Sequence, residues 1–307
     1  MIIDSTRLFA RPYAVTDEVA VLGLVNADRL PGQPETTPAM LGVALAGRSP
    51  VDGGWWAELA VPRTDVVTAP DSQVVGVVSY AARPHDEAGF ILWLHCRHEN
   101  QRPEHQRPDN HCEEDQTVAE ALIIHALAQL GPRAVYAFEF ASALTLGLEG
   151  LPVRHRPVTR TVLEAAGFSG RDLWRYIHQR LTTPVSCPVS PLAEVFPSVD
   201  PAGWRLTLRE DDGTMLGEAI IGQPIDGIGV LWWISIAPAA RRRGLGRALL
   251  GQCFTHLAAN GAREVIAYVD DDAPPSDTER DRTAANRLYD QAGFVEVDRL
   301  HSFVRRH

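Results

Sequence analysis

The chain has 307 residues, 45% of them hydrophobic and 22% charged, with a formal net charge of −10. That length leaves room for two domains, and the acidic balance argues against nucleic acid as the main partner while suiting a cationic one. No apolar run is long enough to span a membrane, the start Met1-Ile2-Ile3-Asp4-Ser5 has no basic-then-apolar signal pattern, and Cys96, Cys112, Cys187 and Cys253 are too irregularly spaced for a disulfide framework, so the cytoplasm is the expected compartment.

In chain order, Arg7 to Tyr13 reads as a strand, followed by two helices over 16–30 and 37–47. Gly76 to Tyr80 and Gly89 to Leu94 read as a pair of strands. His95, Cys96, His98, His105, His111 and Cys112 then crowd together. They are zinc-ligand types, but their irregular spacing matches no common ligand set. Their charged neighbours Arg102, Arg107, Glu113, Glu114 and Asp115 fit a solvated insertion loop. No metal is expected. Val118 to Leu127 reads as an amphipathic helix stopped by Gly131, and Ala134 to Phe138 as a strand.

Thr182 to Pro191, rich in Pro and Ser, reads as an interdomain linker, extending over 182–198. Strands follow at Trp204 to Leu208, Gly217 to Ile221 and Gly229 to Ile236, the last apolar at nearly every position, as in a strand covered on both faces. The chain then turns through Arg241-Arg242-Arg243-Gly244-Leu245-Gly246-Arg247-Ala248 into a helix whose Leu249, Cys253 and Leu257 recur at helical spacing. Such a turn is a ready anion site. Gly244 and Gly246 let backbone approach a ligand, the helix start points unsatisfied N–H groups outward, and the guanidiniums suit a pyrophosphate. A solvated basic turn is the alternative. Val265 to Val269 reads as a strand, leading into Asp270-Asp271-Asp272. A helix carrying Ala285, Leu288, Tyr289 and Ala292 on one face ends at Gly293, before a strand at 294–297.

Two motifs carry a resemblance. Arg241-x-x-Gly244-x-Gly246 lies between a strand and a helix, and Asn286-x-Leu288-Tyr289 is followed by Gly293-Phe294. Together and in this order they resemble the GNAT acetyltransferase superfamily over about residues 205–300. The resemblance implies an α/β (α+β, mixed-sheet) fold and acetyl-CoA as acyl donor. It implies that backbone N–H groups of Arg241, Arg242, Arg243, Gly244, Leu245, Gly246, Arg247 and Ala248 hold the pyrophosphate. The strand edge at Ile234, Ser235 and Ile236 pairs with the pantetheine arm, with the N–H near Ile236 polarising the thioester carbonyl. Asn286 binds the same arm, and Tyr289 protonates the leaving thiolate. Read singly, Asn286 could be a helix-surface residue and Tyr289 a core tyrosine.

The pattern departs from the family in one place. Where many members carry an acidic general base on the fourth strand, this chain has Trp232 and Trp233. The nearest carboxylates are Asp270 and Asp271, with Asp272 beside them. They form either the base, and an attraction for a cationic amine, or a solvated loop ahead of Pro274-Pro275. An amine that arrives partly neutral needs no base.

The first half resembles a worn copy of the same unit. Its strand pair, helix and Leu163-Glu164-Ala165-Ala166-Gly167-Phe168 segment echo those of the second half, but the chain from Glu99 to His105 has no Gly-x-Gly, and Arg160 and Leu163 stand where Asn286 and Tyr289 stand in the second copy. The expected organisation is two tandem GNAT-like domains: residues 1–181 degenerate, without usual acetyl-CoA binding, and residues 199–307 catalytic. The second copy enters its sheet without the two early helices that commonly line the acceptor site, so something else must close its cleft. The expected activity is acetyl transfer to a primary amine of a small, cationic molecule bound between the domains, an antibiotic or a metabolite. The alternatives are an acyl-CoA-binding regulatory module and a protein or peptide N-acetyltransferase.

Overall fold

The computed structural model describes residues 2–3, 8–48, 58–99, 113–181, 192–270 and 282–306. The described chain forms two compact units. The first comprises residues 1–29, 35–173 and 299–307, the second residues 30–34 and 174–298.

In the first unit the strands β1 (Ile2–Ile3), β2 (Leu8–Pro12), β3 (Arg63–Thr68), β4 (Val74–Ala82) and β5 (Gly89–Cys96) lie side by side in chain order. A two-stranded pairing of β6 (His98–Glu99) with β7 (Glu113–Glu114) follows. β5 pairs in parallel with β8 (Val135–Ala137), and β9 (Leu151–Pro152) lies further along the chain. Helices α1 (Glu18–Ala27) and α2 (Pro38–Leu45) cover one sheet face, placing Val21, Leu24, Val25, Leu41 and Ala44 against Phe90, Leu92 and Trp93. Helices α3 (Gln116–Leu130) and α4 (Pro157–Ala165) cover the other, with Val118, Leu122, Ile123, Val162 and Leu163 on Val78, Ile91 and Leu94.

In the second unit the strand order is β10 (Ser169–Arg180, by its residues from 174 on), β15 (Glu264–Asp270), β14 (Ile228–Ile236), β13 (Met215–Gly222), β12 (Ala202–Arg209) and β11 (Glu194–Val199). Helices α5 (Leu245–Ala259) and α6 (Thr283–Ala292) pack on one face, where Leu249, Cys253, Phe254, Leu257 and Tyr289 meet Ile177, Leu231, Val265, Ala267 and Val269. The last strand, β16 (Val295–Arg305), leaves this unit and pairs by Leu300–Arg305 with β9 and β8 of the first.

The two units share one register. In each, an antiparallel pair carries a one-residue bulge. Gly76 faces Cys96 and Tyr80 faces Ile91 in the first; Gly217 faces Ile236 and Ile221 faces Leu231 in the second. The extra residue is Leu92 in one and Trp232 in the other. The parallel pairing then runs from Gly89↔Val135 to Ile91↔Ala137, and from Gly229↔Val265 to Leu231↔Ala267. A Cβ on Gly229 would lie 2.8 Å from Leu257 Cδ2, forcing that leucine to shift, and one on Gly89 would lie a tight 3.2 Å from Leu130 Cδ1. In both copies the helix after the strand presses a leucine onto its entry.

The compact units divide at 173/174, whereas the sequence placed domain boundaries at 181 and 199; β11 starts within the stretch 182–198 and ends at Val199. The cause is hydrogen bonding: Trp174 to Arg180 pair in antiparallel register with Asp270 to Glu264, so the strand ending the first copy belongs to the second unit. The segment 182–191 lies outside the described residues.

On the face of the second sheet opposite α5 and α6 lies the stretch Leu30–Pro34, between α1 and α2 in sequence. Gln33 is buried there and donates to the Tyr268 hydroxyl at 3.0 Å and the Tyr176 hydroxyl at 3.3 Å, while Tyr176 donates to the Pro31 carbonyl at 2.7 Å. Gly32 has φ +78°, and a Cβ there would come within 2.5 Å of Ile266 Cγ2. The first half of the chain therefore supplies a cover for a sheet face that has no helix of its own among the described residues. No described helix is long and apolar enough to cross a membrane.

Gly32→Ala combines left-handed strain with a clash. We expect a loss of about 1–3 kcal/mol, read as a lower urea midpoint. An unchanged midpoint would show that the 30–34 stretch contributes nothing to the stability of the second unit.

Candidate active site

Pairing between β14 and β15 stops at Leu231↔Ala267, although β14 runs on to Ile236 and β15 to Asp270. Beyond the bulge, β14 is paired on its β13 side, and the Ala237 N–H donates to the Leu216 carbonyl at 2.8 Å. Strand alternation then turns the N–H and C=O groups of Ile234 and Ile236 to the opposite, diverging edge, and those of Ser235 toward β13. An extended ligand can add there as a strand. Arg241 reaches back to this edge, its Nε donating to the Ile236 carbonyl at 3.3 Å.

After a short 3-10 turn at Pro238–Ala240, Arg242 takes φ +63° and Gly244 φ +77°. These left-handed positions bend the chain sharply into α5. Gly244 occupies the N-cap without any side-chain cap, and the first intrahelical bond runs from Ala248 N–H to the Gly244 carbonyl, 3.1 Å. The N–H groups of Leu245, Gly246 and Arg247 thus have no partner inside the helix, at its positive end. Nothing lies within 4 Å of a Cβ built on Gly244, so space is open beside them. Arg241, Arg242, Arg243 and Arg247 are exposed around it, Arg243 making a surface ion pair with Glu210 at 2.9 Å. Leu245 and Ala248 are buried and anchor the helix. Gly246 is half-buried where α5 passes β14 and α6, and a Cβ there would make ordinary contacts with Leu288 Cδ2 at 3.4 Å and Ile236 Cγ1 at 3.7 Å.

On α6, Asn286 is half-buried and its Oδ1 accepts from Arg175 Nη1 at 3.0 Å. Tyr289 is 8% exposed, with its ring edge-on to Phe294 at 5.7 Å. Burial, then the neighbouring Cys253 thiol, pushes its phenol up to about 12, against a small opposing effect of Arg282. The described hydrogen bonds do not use its hydroxyl. Such a phenol keeps its proton throughout the neutral range, the state required of an acid.

Asp270 ends β15 on the face of Ile266 and Tyr268, opposite α5, and its Oδ2 lies 3.3 Å from Arg282 Nη2. Asp271 lies outside the described residues. On that same face Trp232 stacks on Tyr268, centroids 6.3 Å apart and planes 20° from parallel. Trp233, opposite Ile220 in register, is 51% exposed. Their counterparts Leu92 and Trp93 are each 2% exposed beneath α1 and α2.

The corresponding groove of the first unit is filled by its own side chains. The carbonyl of Leu94, equivalent in register to Ile234, accepts from Arg156 Nη1 at 2.8 Å. Arg156 Nε lies 2.9 Å from Glu114 Oε1 and 3.4 Å from Asp28 Oδ2. His95 and His98 each contact Asp28 at 2.6 Å. Burial works to raise the Asp28 carboxyl, but Arg156 and the two histidines outweigh it and hold it well below the usual carboxylate range. At α3 the side chain of Asp115 accepts the Val118 N–H at 3.1 Å, placing a carboxylate where α5 leaves its N–H groups open. Arg160 pairs with Glu164 at 2.9 Å on the surface, and Leu163 is fully buried. Of the suspected zinc ligands, His95 and His98 are engaged with Asp28, while His105, His111 and Cys112 lie outside the described residues. No group of three or more histidine, cysteine, aspartate or glutamate side chains among the described residues could hold a metal.

Residues 174–294, from within β10 to the end of α6, match the model of the acetyltransferase (GNAT) family. The relatives of the chain include mycothiol acetyltransferases. That of Cellulomonas flavigena is 34% identical over 111 residues, covering 33% of this chain and 29% of that protein. That of Geodermatophilus obscurus is 36% identical over 110 residues, covering 34% and 32%. The matched stretch is thus about a third of each relative. The fold of the whole chain is similar to a tandem GNAT protein from the clavulanic acid biosynthesis pathway, with TM-score 0.60, 16% identity and coverage of 97% and 98%. It is likewise similar to a GCN5-related N-acetyltransferase from Sphaerobacter thermophilus, with TM-score 0.59, 18% identity and coverage of 99% and 96%.

Arg175 and Gln33 went unread in the sequence, since both fall outside the 205–300 resemblance. The alternation Trp174-Arg175-Tyr176-Ile177-His178-Gln179 was a visible strand signal for the first of them.

Gly244→Asp puts a carboxylate beside the open N–H groups, and Asp tolerates the left-handed conformation. Titration calorimetry should show CoA affinity reduced on the order of tenfold or more. Wild-type affinity in this variant would remove the anion cradle.

Proposed function

We propose that the chain is an acetyl-CoA-dependent N-acetyltransferase that modifies a primary amine of a small molecule. The observation that carries this reading is the contrast within one chain. The second copy leaves a strand edge and a helix start open among four arginines, and the first copy closes both with Arg156 and Asp115.

Acetyl-CoA is the substrate that fits this opening. The N–H groups at the start of α5 and the arginines at 241–243 and 247 hold its pyrophosphate. The edge at Ile234 to Ile236 and the amide of Asn286 hold the pantetheine arm. The Ile236 N–H faces the thioester oxygen, where negative charge develops. The amine nitrogen bonds to the acetyl carbon as the C–S bond breaks. Tyr289 gives its proton to the departing sulfur, and the surplus amine proton passes to Asp270, to the neighbouring Asp271 or to water.

The amine approaches from the face that carries Trp232, Trp233, Tyr268 and Asp270, which α1- and α2-like helices would otherwise occupy. Indole faces and a carboxylate attract a cation, in keeping with a cationic acceptor. The name shared by the matched relatives points to a small molecule. The second reading is an acyl-CoA-binding regulatory module. Trp232 and Trp233 at the positions of the usual base favour it; the retained Tyr289 opposes it. A protein or peptide N-acetyltransferase is a third reading, told apart by peptide acceptors.

Release of free CoA from acetyl-CoA across an amine panel separates enzyme from module: binding without turnover on any amine would favour the module. Tyr289→Phe should lower turnover by about ten- to ten-thousand-fold with CoA affinity nearly intact; unchanged turnover removes the acid. With the phenol pushed up to about 12, the acid form persists as pH rises. Turnover should therefore show no loss from tyrosine ionisation between pH about 7 and about 10. A decline in that window that disappears in Tyr289→Phe would contradict the upward shift of the phenol while leaving it as the acid.

A further inference from the structure

Helix α6 carries both Asn286 and Tyr289, yet it is ten residues long and buries only Tyr289. It needs a clamp, and β10 provides one. Along β10, Arg175, Ile177 and Gln179 alternate onto the α6 side, Ile177 joining the core. Gln179 Nε2 donates to the Ala292 carbonyl at 2.8 Å, at the C-terminal end of α6. Arg175, with a side chain 11% exposed, uses its whole fork: Nε donates to Glu296 Oε2 at 2.6 Å, Nη1 to Asn286 Oδ1 at 3.0 Å and Nη2 to Asp290 Oδ1 at 2.8 Å. Asn286 and Asp290 are one helical turn apart, so the fork grips a single face of α6.

We propose that Arg175 is a positioning residue for pantetheine binding, acting through the side-chain amide of Asn286. A guanidinium carries only donors. It draws the amide oxygen to itself and turns the amide nitrogen of Asn286 the other way, so that Asn286 offers N–H groups to a carbonyl on the ligand. The ligand chemistry it selects is the amide carbonyl of an extended arm. Lysine cannot replace it, because one ammonium does not reproduce a rigid fork spanning three acceptors. The residue arrives on the strand that closes the first copy, so that stretch of chain presets a contact of the second copy's site. The proposal rests on the reading of Asn286 as a CoA contact.

The test is a double-mutant cycle on the full chain, with CoA as the titrant in calorimetry. R175A and N286A should each weaken CoA binding on the order of tenfold. The double variant should bind no more weakly than either single one, because both changes remove the same contact. G244D combined with R175A is the control, and its losses should multiply. An Arg175 that acts by a route other than Asn286 would give losses that multiply with N286A as well, and that result, or wild-type affinity in R175A, overturns the proposal; a general loosening of α6 would show as a lowered melting temperature in R175A. If melting shows R175A unfolded, R175K closes the same cycle: it retains a positive charge between Asp290 and Glu296 while losing the fork. A wild-type chain that takes up no CoA sinks the underlying cofactor reading along with the proposal. Binding by wild type with a multiplicative cycle sinks the Arg175 assignment alone.

Discussion

The structure depends on two strands parting company. β14 and β15 run in parallel as far as Leu231 and Ala267 and then diverge, leaving the groups of Ile234 and Ile236 without a strand partner on one side. Unpaired backbone groups inside a sheet are costly unless something satisfies them. The bulge at Trp232, the turn that swings α5 up to this edge and the packing of α6 beside it frame that gap. An extended chain with amide groups and a terminal anion matches that gap, which is the basis of the function proposed above.

The first unit meets the same constraint in the opposite way. Its β5 and β8 part after Ile91 and Ala137, in identical register. There the free carbonyl of Leu94 is satisfied from within by Arg156, whose charge is balanced by Glu114 and Asp28. A buried guanidinium between carboxylates is stable only when its donors are matched, and here its Nη2 also reaches the Thr159 hydroxyl at 3.1 Å. One geometry thus yields a receptive groove in one copy and a self-filled one in the other, and the identity of a few side chains decides which.

Much of this was legible in the residues. The strand before the arginines, the glycine that opens α5 and the helix ending at Gly293 followed from periodicity and turn chemistry, and the shared strand-pair and helix pattern of the two halves from an internal repeat. What escaped was pairing. A strand announces itself by alternation, but nothing local says whether Ser169 to Arg180 will join the sheet of its own copy or the next, so Arg175 was overlooked. The covering role of Leu30–Pro34 was hidden for the same reason: Gln33 meets Tyr268 across 235 positions of sequence. The tryptophans at 232 and 233 were noticed only as missing carboxylates. Their shared face comes from the bulge, which a strict two-residue alternation would not foresee.

The placement of β10 and β16 has a consequence for any dissection of the chain. Trp174 to Arg180 pair within the second sheet, and Leu300 to Arg305 pair with strands of the first. A fragment cut at 181 or at 199 therefore separates each sheet from one of its strands, and neither sheet is encoded in a single continuous stretch.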